Sequence, residues 1–385
     1  MTNPLELTRC LNLAGLLAKK SHFLFGPRQT GKTHLIQKNL PKARVYDLLD
    51  GGTLAALSQN PGRIEQELTP QDHCIVIDEV HRLPDLLNEV HRLIEKKKIH
   101  FLLTGSSARK LRRTGVNLLG GRARTKYLHP LSASELGNHF DLNRALSNGL
   151  IPSIYLSDDP RADLEAYSGS YLKEEIMAEG AVRNLPAFSR FIHVAALCNA
   201  SVVNFTNVAN DAQVKRTTVY EYFEILRDTL ILRELPAWRE GRSRRPRVSS
   251  KYYFFDTGVA HHLQGRIIHP GTTEFGAAFE TFILHELTCC RDYQGLSELS
   301  FWRSASGFEV DFLIGDRIAL EAKAKTNVAP YDLRSLHAIK EEGAFRRLIC
   351  VSLEPHPRNA DGIEILPVSA FLKALWSGEF SEERS

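Results

Sequence analysis

Residues 26–33 read Gly26-Pro27-Arg28-Gln29-Thr30-Gly31-Lys32-Thr33, a G-x-x-x-x-G-K-T loop, and few eight-residue strings restrict a fold as tightly. The apolar run His22-Phe23-Leu24-Phe25 precedes it, and His34-Leu35-Ile36-Gln37-Lys38 follows with helical character. Strand, glycine-rich turn and helix in that order gather backbone N–H groups and the positive end of a helix around one point, which is a phosphate cradle. In such a cradle Gly26, Pro27, Arg28, Gln29, Thr30 and Gly31 curl around the phosphates. Lys32 reaches the β- and γ-phosphates, and Thr33 places a hydroxyl on Mg²⁺. ATP and Mg²⁺ are the cofactors this spacing predicts. The competing reading, a chance match in a glycine-containing loop, loses ground once a second motif appears downstream.

That second motif is Cys74-Ile75-Val76-Ile77-Asp78-Glu79, an apolar strand ending in two carboxylates. Asp78 is placed to hold Mg²⁺ through water, and Glu79 to polarise an attacking water. Phosphoryl transfer asks the protein for little beyond such placement. The alternative is an acidic pair capping the helix expected near Leu83 to Lys97. A third apolar strand, Ile99 to Leu103, ends in Thr104-Gly105-Ser106-Ser107. Alternating strands and helices across 22–104 predict a parallel sheet with its site at the strands' carboxyl ends.

The chain has 385 residues, 43% of them hydrophobic, enough for two or three domains with real cores. It has no run of 18 apolar residues, and Glu6, Arg9, Asn12, Lys19 and Lys20 interrupt the leucines of the N-terminus. No signal peptide, membrane span or membrane partner is therefore expected, and the cytoplasm is the expected location. The six cysteines (10, 74, 198, 289, 290 and 350) show no metal spacing and read as buried free thiols. A net charge of +4 is mild, but arginines 239, 242, 244, 245 and 247 cluster within nine residues. A second basic group runs Arg109, Lys110, Arg112, Arg113, then Arg122, Arg124 and Lys126. Each cluster is either a solvated loop or a phosphate-contacting one.

Several strings taken together resemble a prokaryotic family of AAA+ ATPases with a C-terminal domain of unknown function. They are the 26–33 loop, Asp78-Glu79-Val80-His81-Arg82-Leu83-Pro84, Leu103-Thr104-Gly105-Ser106-Ser107, Gly120-Gly121-Arg122, and His129-Pro130-Leu131-Ser132 with Glu135-Leu136. The resemblance spans nearly the whole chain. It implies that a polar residue at the end of the third strand touches the γ-phosphate or the water, with Ser106 preferred and Thr104 as the alternative. It implies that Arg122 is the finger acting on a neighbouring subunit's nucleotide, with Arg109, Arg113 and Arg124 as alternatives. A homo-oligomeric ring, with six subunits as the expected number, follows from the same likeness. His81 stands where the family usually has Gln, a departure expected to leave metal and water untouched.

In the middle, Gly149-Leu150-Ile151-Pro152 and Tyr171-Leu172-Lys173-Glu174-Glu175-Ile176 are similar to the same family's second domain. One short helix begins at Phe205-Thr206-Asn207-Val208-Ala209, and a second covers Lys215 to Leu226. Val219, Tyr222, Phe223 and Leu226 repeat at i, i+3, i+4, i+7, which turns Lys215, Arg216, Thr218 and Glu221 outward. With the strand-like Leu230 to Leu235 this suggests a winged helix-turn-helix. Gln213, Lys215, Arg216 and Thr217 then start a recognition helix, and Arg242, Arg244 and Arg245 belong to a wing on DNA phosphates. The alternative is a winged fold that only packs domains together or relays nucleotide state.

Toward the C-terminus, Phe308-Glu309-Val310-Asp311-Phe312-Leu313-Ile314 and Ile318-Ala319-Leu320-Glu321-Ala322-Lys323 alternate like strands around Gly315-Asp316-Arg317. A hairpin pairing Ile314 with Ile318 sets Asp311 opposite Glu321 and Glu309 opposite Lys323. Opposed carboxylates with Cβ atoms ~5 Å apart repel, and a bridging Mg²⁺ with oxygens at about 2.1 Å removes the conflict. Lys323 would then steady the attacking hydroxide or the phosphate.

This acid, acid, lysine spacing resembles the PD-(D/E)xK nuclease superfamily, whose first-helix acid maps onto Glu280. Trp302-Arg303-Ser304 and Gly307 look like the restriction-endonuclease-like domain of these ATPases. Glu280 shares a largely apolar helix face with Leu284 and Leu287, so it needs a partner. Metal is one, and a salt bridge to Lys323 or Arg303 is the other.

The expected fold class is α/β. It comprises a P-loop AAA+ parallel-sheet domain over 1–140, a helical and winged helix-turn-helix domain over 141–265, and a restriction-endonuclease-like α/β domain over 266–385. The expected function is ATP-dependent DNA processing by a ring, with a C-terminal Mg²⁺ site that cuts or grips DNA, branched or repair intermediates included. The alternative is a regulatory nucleotide switch whose C-terminal domain only binds nucleic acid or a protein.

Overall fold

The computed structural model describes residues 7–107, 109, 111, 119–171, 184–238, 249–342 and 345–381. The chain divides into two compact units, one of residues 1–131 with 228–231, the other of 132–227 with 232–385. Arg113, the 239–247 arginines and the Leu172 to Ile176 string lie outside the described residues.

Unit 1 is built on a parallel sheet of β1 (Ser21–Phe25), β2 (Arg44–Asp47), β3 (Cys74–Asp78), β4 (His100–Gly105) and β5 (Ala123–Tyr127), in the order β2-β3-β4-β1-β5. All five residues of β1 are buried, as a central parallel strand covered on both faces requires. Helix α1 (Lys32–Asn39) follows β1, and α2 (Leu86–Lys97) follows β3. Leu86, Val90 and Leu93 turn one stripe of α2 into the core with Phe23, Ile75, Ile77, Phe101 and Leu103. Because β1, β3 and β4 are adjacent and parallel, their carboxyl ends bring the 26–33 loop, Asp78-Glu79 and Thr104 together.

Unit 2 carries two sheets. The first joins β6 (Ser201–Val202), β7 (Leu232–Leu235) and β8 (Lys251–Phe254), antiparallel, in the order β6-β8-β7. Helices α3 (Leu185–Leu197), α4 (Phe205–Ala212) and α5 (Arg216–Asp228) precede β7. Their core is aromatic: Phe191 meets Tyr222 and Phe223 at 5.0 and 5.4 Å, and Phe223 meets Tyr252 at 4.8 Å. Val219, Tyr222, Phe223 and Leu226 are the buried face of α5.

The second sheet follows two helices, α6 (Thr257–Gln264) and the 22-residue α7 (Thr273–Gln294). Its strands are β9 (Leu299–Arg303), β10 (Glu309–Ile314), β11 (Ile318–Lys323), β12 (Arg347–Ser352), β13 (Arg358–Ala360) and β14 (Ile363–Pro367). They lie in the order β13-β14-β12-β11-β10-β9, antiparallel from β9 to β11 and parallel from β11 through β12 to β14. Gly315, at φ 54°, turns the β10–β11 hairpin, and Ile314 pairs with Ile318. The sequence alternation reads the register correctly where the ladder forms, from Phe312 with Leu320 to Ile314 with Ile318.

Candidate functional site

The loop between β1 and α1 is held from three sides. A Cβ on Gly26 would stand 2.3 Å from the Leu128 carbonyl oxygen, so only glycine fits. Gly31 caps α1 at φ 89°, a conformation that costs a side-chain-bearing residue ~1 kcal/mol or more. Thr30 Oγ1 donates to the Pro27 carbonyl at 2.8 Å, and Arg9 donates to the Thr30 and His129 carbonyls at 2.9 and 2.5 Å. The role of Arg9 has no signal in the motif itself.

Lys32 Nζ lies within the loop, donating to the Gly26 and Pro27 carbonyls at 2.7 and 3.2 Å. Thr33 Oγ1 donates to Asp78 Oδ2 at 3.3 Å. Thr104 Oγ1 donates to Asp78 Oδ1 and accepts the Glu79 backbone N–H at 3.1 Å. Of the two residues weighed at the β4 end, Thr104 is therefore the one in contact with the acids, and Ser106 is buried beside it. Burial raises the Asp78 carboxyl above its ordinary range, Glu79 adds to this, and Thr104 and Lys32 oppose it.

Glu79 sits at φ 58°, and its Oε2 lies 3.0 Å from His81 Nδ1 in an alignment too poor for a proper hydrogen bond. Burial pushes the Glu79 carboxyl up, but His81, Lys32 and Arg28 outweigh it and hold the group below its ordinary value. His81 is thus a neighbour of the Glu79 carboxyl, which the sequence reading set aside.

Arg122 is ion-paired to Glu95 of its own unit, and Arg109 to Asp228 at 2.8 Å. The residues present fit a triphosphate and its metal: a glycine-walled cradle, a lysine inside it, and a hydroxyl with a carboxylate beside it.

In unit 2, Lys215, Arg216 and Thr217 are exposed at the start of α5. Arg216 lies 5.5 Å over the ring of Tyr220, which is itself 42% exposed and stacks on Phe205 at 4.2 Å. Gln213, at φ 54°, makes the turn between α4 and α5.

The hairpin brings Asp311, Glu321 and Lys323 together, with Glu280 of α7 nearby. Asp311 N–H donates to Glu321 Oε2 at 3.4 Å, Ala322 N–H donates to Asp311 Oδ2 at 2.9 Å, and Lys323 Nζ pairs with Glu321 Oε1. The partner of Glu280 is neither Lys323 nor Arg303. Lys251 of β8 points its Nζ among the acids, 3.1 Å from Glu280 Oε1, 2.6 Å from Glu309 Oε1 and 3.5 Å from Asp311 Oδ1. Tyr253, two residues along the same strand, donates to Glu280 Oε1 at 2.6 Å.

Burial works against the charge of Lys251, but Glu280, Asp311 and Glu309 hold its pKa well above the ordinary value. Burial and the Asp311 charge raise both Glu280 and Glu321. Among the described residues, no group of three or more His, Cys, Asp or Glu side chains is arranged to hold a metal ion. Where Mg²⁺ is expected across Glu280, Asp311 and Glu321, the ammonium of Lys251 stands between Glu280 and Asp311, and that of Lys323 pairs with Glu321.

One further expectation needs amending. Cys10 is exposed and Cys74 and Cys198 are half-buried, so only Cys289, Cys290 and Cys350 are buried thiols. Among the described residues no helix is long and apolar enough to cross a membrane.

Sheet order, loop and carboxylates in unit 1 are those of a P-loop domain of the AAA type, and a C-terminal region of unknown function follows it. Residues 18–137 match the family model described as an AAA domain; 139–267 and 275–371 match two domains of unknown function, DUF8612 and DUF4143. Uncharacterized proteins of Mycobacterium bovis and Mycobacterium tuberculosis are each 28% identical over 308 residues, 76% of this chain and 66% of theirs. The chain thus spans 66% of the length of these relatives.

Among solved structures, the Aeropyrum pernix Orc1 protein in complex with DNA is 14% identical, with 64% of this chain and 86% of that one covered and a TM-score of 0.25. Domain III of the Thermotoga maritima replication initiation protein DnaA is 14% identical, with 43% and 80% covered and a TM-score of 0.23. Scores this low leave the assignment to the family model and the loop geometry.

Proposed function

We propose that this chain is an ATP hydrolase whose nucleotide cycle acts on DNA, and that unit 2 holds the DNA without cutting it. The observation that carries the first half is the contact chain Thr33–Asp78–Thr104–Glu79 beside a lysine-bearing glycine loop. Lys32 leaves the Gly26 and Pro27 carbonyls for the phosphates. Thr33 and Asp78 would hold Mg²⁺, which when bound would supply positive charge against the phosphate oxygens. Glu79 orients water for in-line attack at the γ-phosphorus as the bond to the ADP oxygen breaks. Copies assemble as a ring in which Arg122 leaves Glu95 for a neighbour's nucleotide.

For the second half, Lys215, Arg216 and Thr217 beside the exposed Tyr220 offer phosphate-contacting cations next to an aromatic ring. The run of α3, β6, α4, α5, β7 and β8 supports a winged helix-turn-helix, and α7 with β9 to β12 a restriction-endonuclease-like fold. The domain division at 140 and 265 is part of the same proposal. Holding is favoured over cleavage because Lys251 stands among Glu280, Glu309 and Asp311.

The deciding measurement is ATP hydrolysis with and without single-stranded, duplex and branched DNA, in parallel with a Mg²⁺ or Mn²⁺ cleavage assay. DNA-stimulated hydrolysis that Glu79→Gln abolishes, with intact DNA at the end, is the expected result. Hydrolysis indifferent to every DNA would favour the regulatory switch. Cut DNA whose cutting Asp311→Ala abolishes would restore the nuclease.

A further inference from the structure

The acid cluster of unit 2 has the makings of a metal site, and its occupant is part of the chain. Lys251 is 1% exposed, and its ammonium faces oxygens of Glu280 on α7 and of Glu309 and Asp311 on β10, 5.5 Å from the centre of the Phe301 ring. Three further oxygens are engaged: Asp311 Oδ2 by the Ala322 N–H, Glu321 Oε2 by the Asp311 N–H and Glu321 Oε1 by Lys323. Period-two alternation along β8 aims Lys251 and Tyr253 at the same carboxylate.

We propose that Lys251 is the resident cation of this cluster, so that the pocket is closed to divalent metal and works as a metal-independent ionic latch tying β8 to α7 and β10. The inference deepens the reading that unit 2 holds DNA without cutting it, and rests on it only for its biological meaning. The physical logic is exclusion. A divalent ion needs several oxygens at about 2.1–2.6 Å, and here they converge on an ammonium that has no solvent to retreat into. Ejecting one partner of a buried charge cluster strands the others uncompensated, which opposes exchange of the ammonium for a metal ion. A metal-dependent cutter needs the same acids open to ions, so closure by Lys251 turns a catalytic pattern into a fastening.

The test is Mn²⁺ binding by the full chain without nucleotide, followed by electron paramagnetic resonance, in an Asp78→Asn background that removes the acid at the other candidate site. Mn²⁺ binding should be the same with and without Asp311→Asn, since the cluster holds none. Lys251→Met should bind Mn²⁺ roughly tenfold or more tightly, and Asp311→Asn added to it should remove the gain. Mn²⁺ binding by the otherwise unaltered chain that Asp311→Asn or Glu321→Gln abolishes would overturn the proposal. So would a folded Lys251→Met chain that gains no site. Should Lys251→Met fail to fold, the melting temperature decides. Without the substitution at 251 it should be unmoved by Mn²⁺, and a rise that Asp311→Asn removes would overturn the latch. None of these readouts uses DNA, so failure of the latch and failure of DNA binding are told apart.

Discussion

The Nδ1 atom of His81 lies 3.0 Å from Oε2 of Glu79, so the carboxylate proposed to orient the attacking water has an imidazole beside it. His81 is one of the influences holding the Glu79 carboxyl low. A general base works above its own pKa, so removing an influence that lowers that pKa moves the onset of activity to higher pH. His81→Ala should therefore shift the acid limb of the ATPase pH profile upward. Glu79→Gln should lower hydrolysis by roughly 100-fold or more while fluorescent nucleotide still binds. Lys32→Ala, by contrast, should lose binding. A full pH–rate profile of the three variants checks all of this.

Charge reversal at the start of α5 tests the proposed DNA face. Lys215→Glu with Arg216→Glu should weaken duplex binding at every sequence. It should also flatten the plot of log affinity against log salt by about two, one for each phosphate contact. Fluorescence anisotropy at several salt concentrations measures both. An unchanged slope would send the DNA elsewhere on the molecule.

Gly149 is at φ 80°, and a Cβ there would come within 2.0 Å of Asp256 Oδ1. That carboxylate accepts the Leu150 N–H at 2.6 Å and caps α6 through Val259 N–H at 3.1 Å. Gly149→Ala should cost about 2–4 kcal/mol, since it combines a forbidden backbone with displacement of a buried carboxylate. Gly265, at φ 65° with open space around it, is the control. Gly265→Ala should cost only ~1 kcal/mol in the same denaturant titration.

His261 is 4% exposed, and burial lowers its pKa from 6.5 to about 4. Folding thus keeps the ring neutral while the unfolded chain takes up a proton near pH 6.5. Stability is present above that pH and is lost as the pH falls through 6.5 toward 4, by up to roughly 3 kcal/mol. His261→Gln should make the acid limb of the stability curve shallower, as read from urea midpoints between pH 4 and 7.

The parts of this architecture legible in the sequence are those set by short-range period. The hairpin register follows from alternation on both sides of Gly315, and the buried face of α5 from the spacing of Val219, Tyr222, Phe223 and Leu226. Asp78 at the carboxyl end of β3 and Asp311 within β10 come from the same kind of pattern. What the sequence hid is set by distance in the chain. Lys251 meets Asp311 across 60 residues, and Arg9 meets the His129 carbonyl across 120. One signal for Lys251 was present: a lysine opening the apolar run Tyr252-Tyr253-Phe254-Phe255 is a charge headed for burial and must find a carboxylate. At the β4 end, Thr104 and Ser106 lie on the same side of an extended chain, and only three-dimensional proximity favours Thr104.

Strand β8 of the small β6-β8-β7 sheet is ion-paired to a helix and a strand of the neighbouring layer, and this fixes its register. Lys251 and Tyr253 belong to the sheet that follows α4 and α5, while their partners Glu280, Glu309 and Asp311 belong to α7 and β10. Sliding β8 by a single residue would point both side chains the wrong way. The buried ammonium and the phenol thus hold β8 to α7 and β10 in one register, and the order of the strand is written into the placement of two side chains.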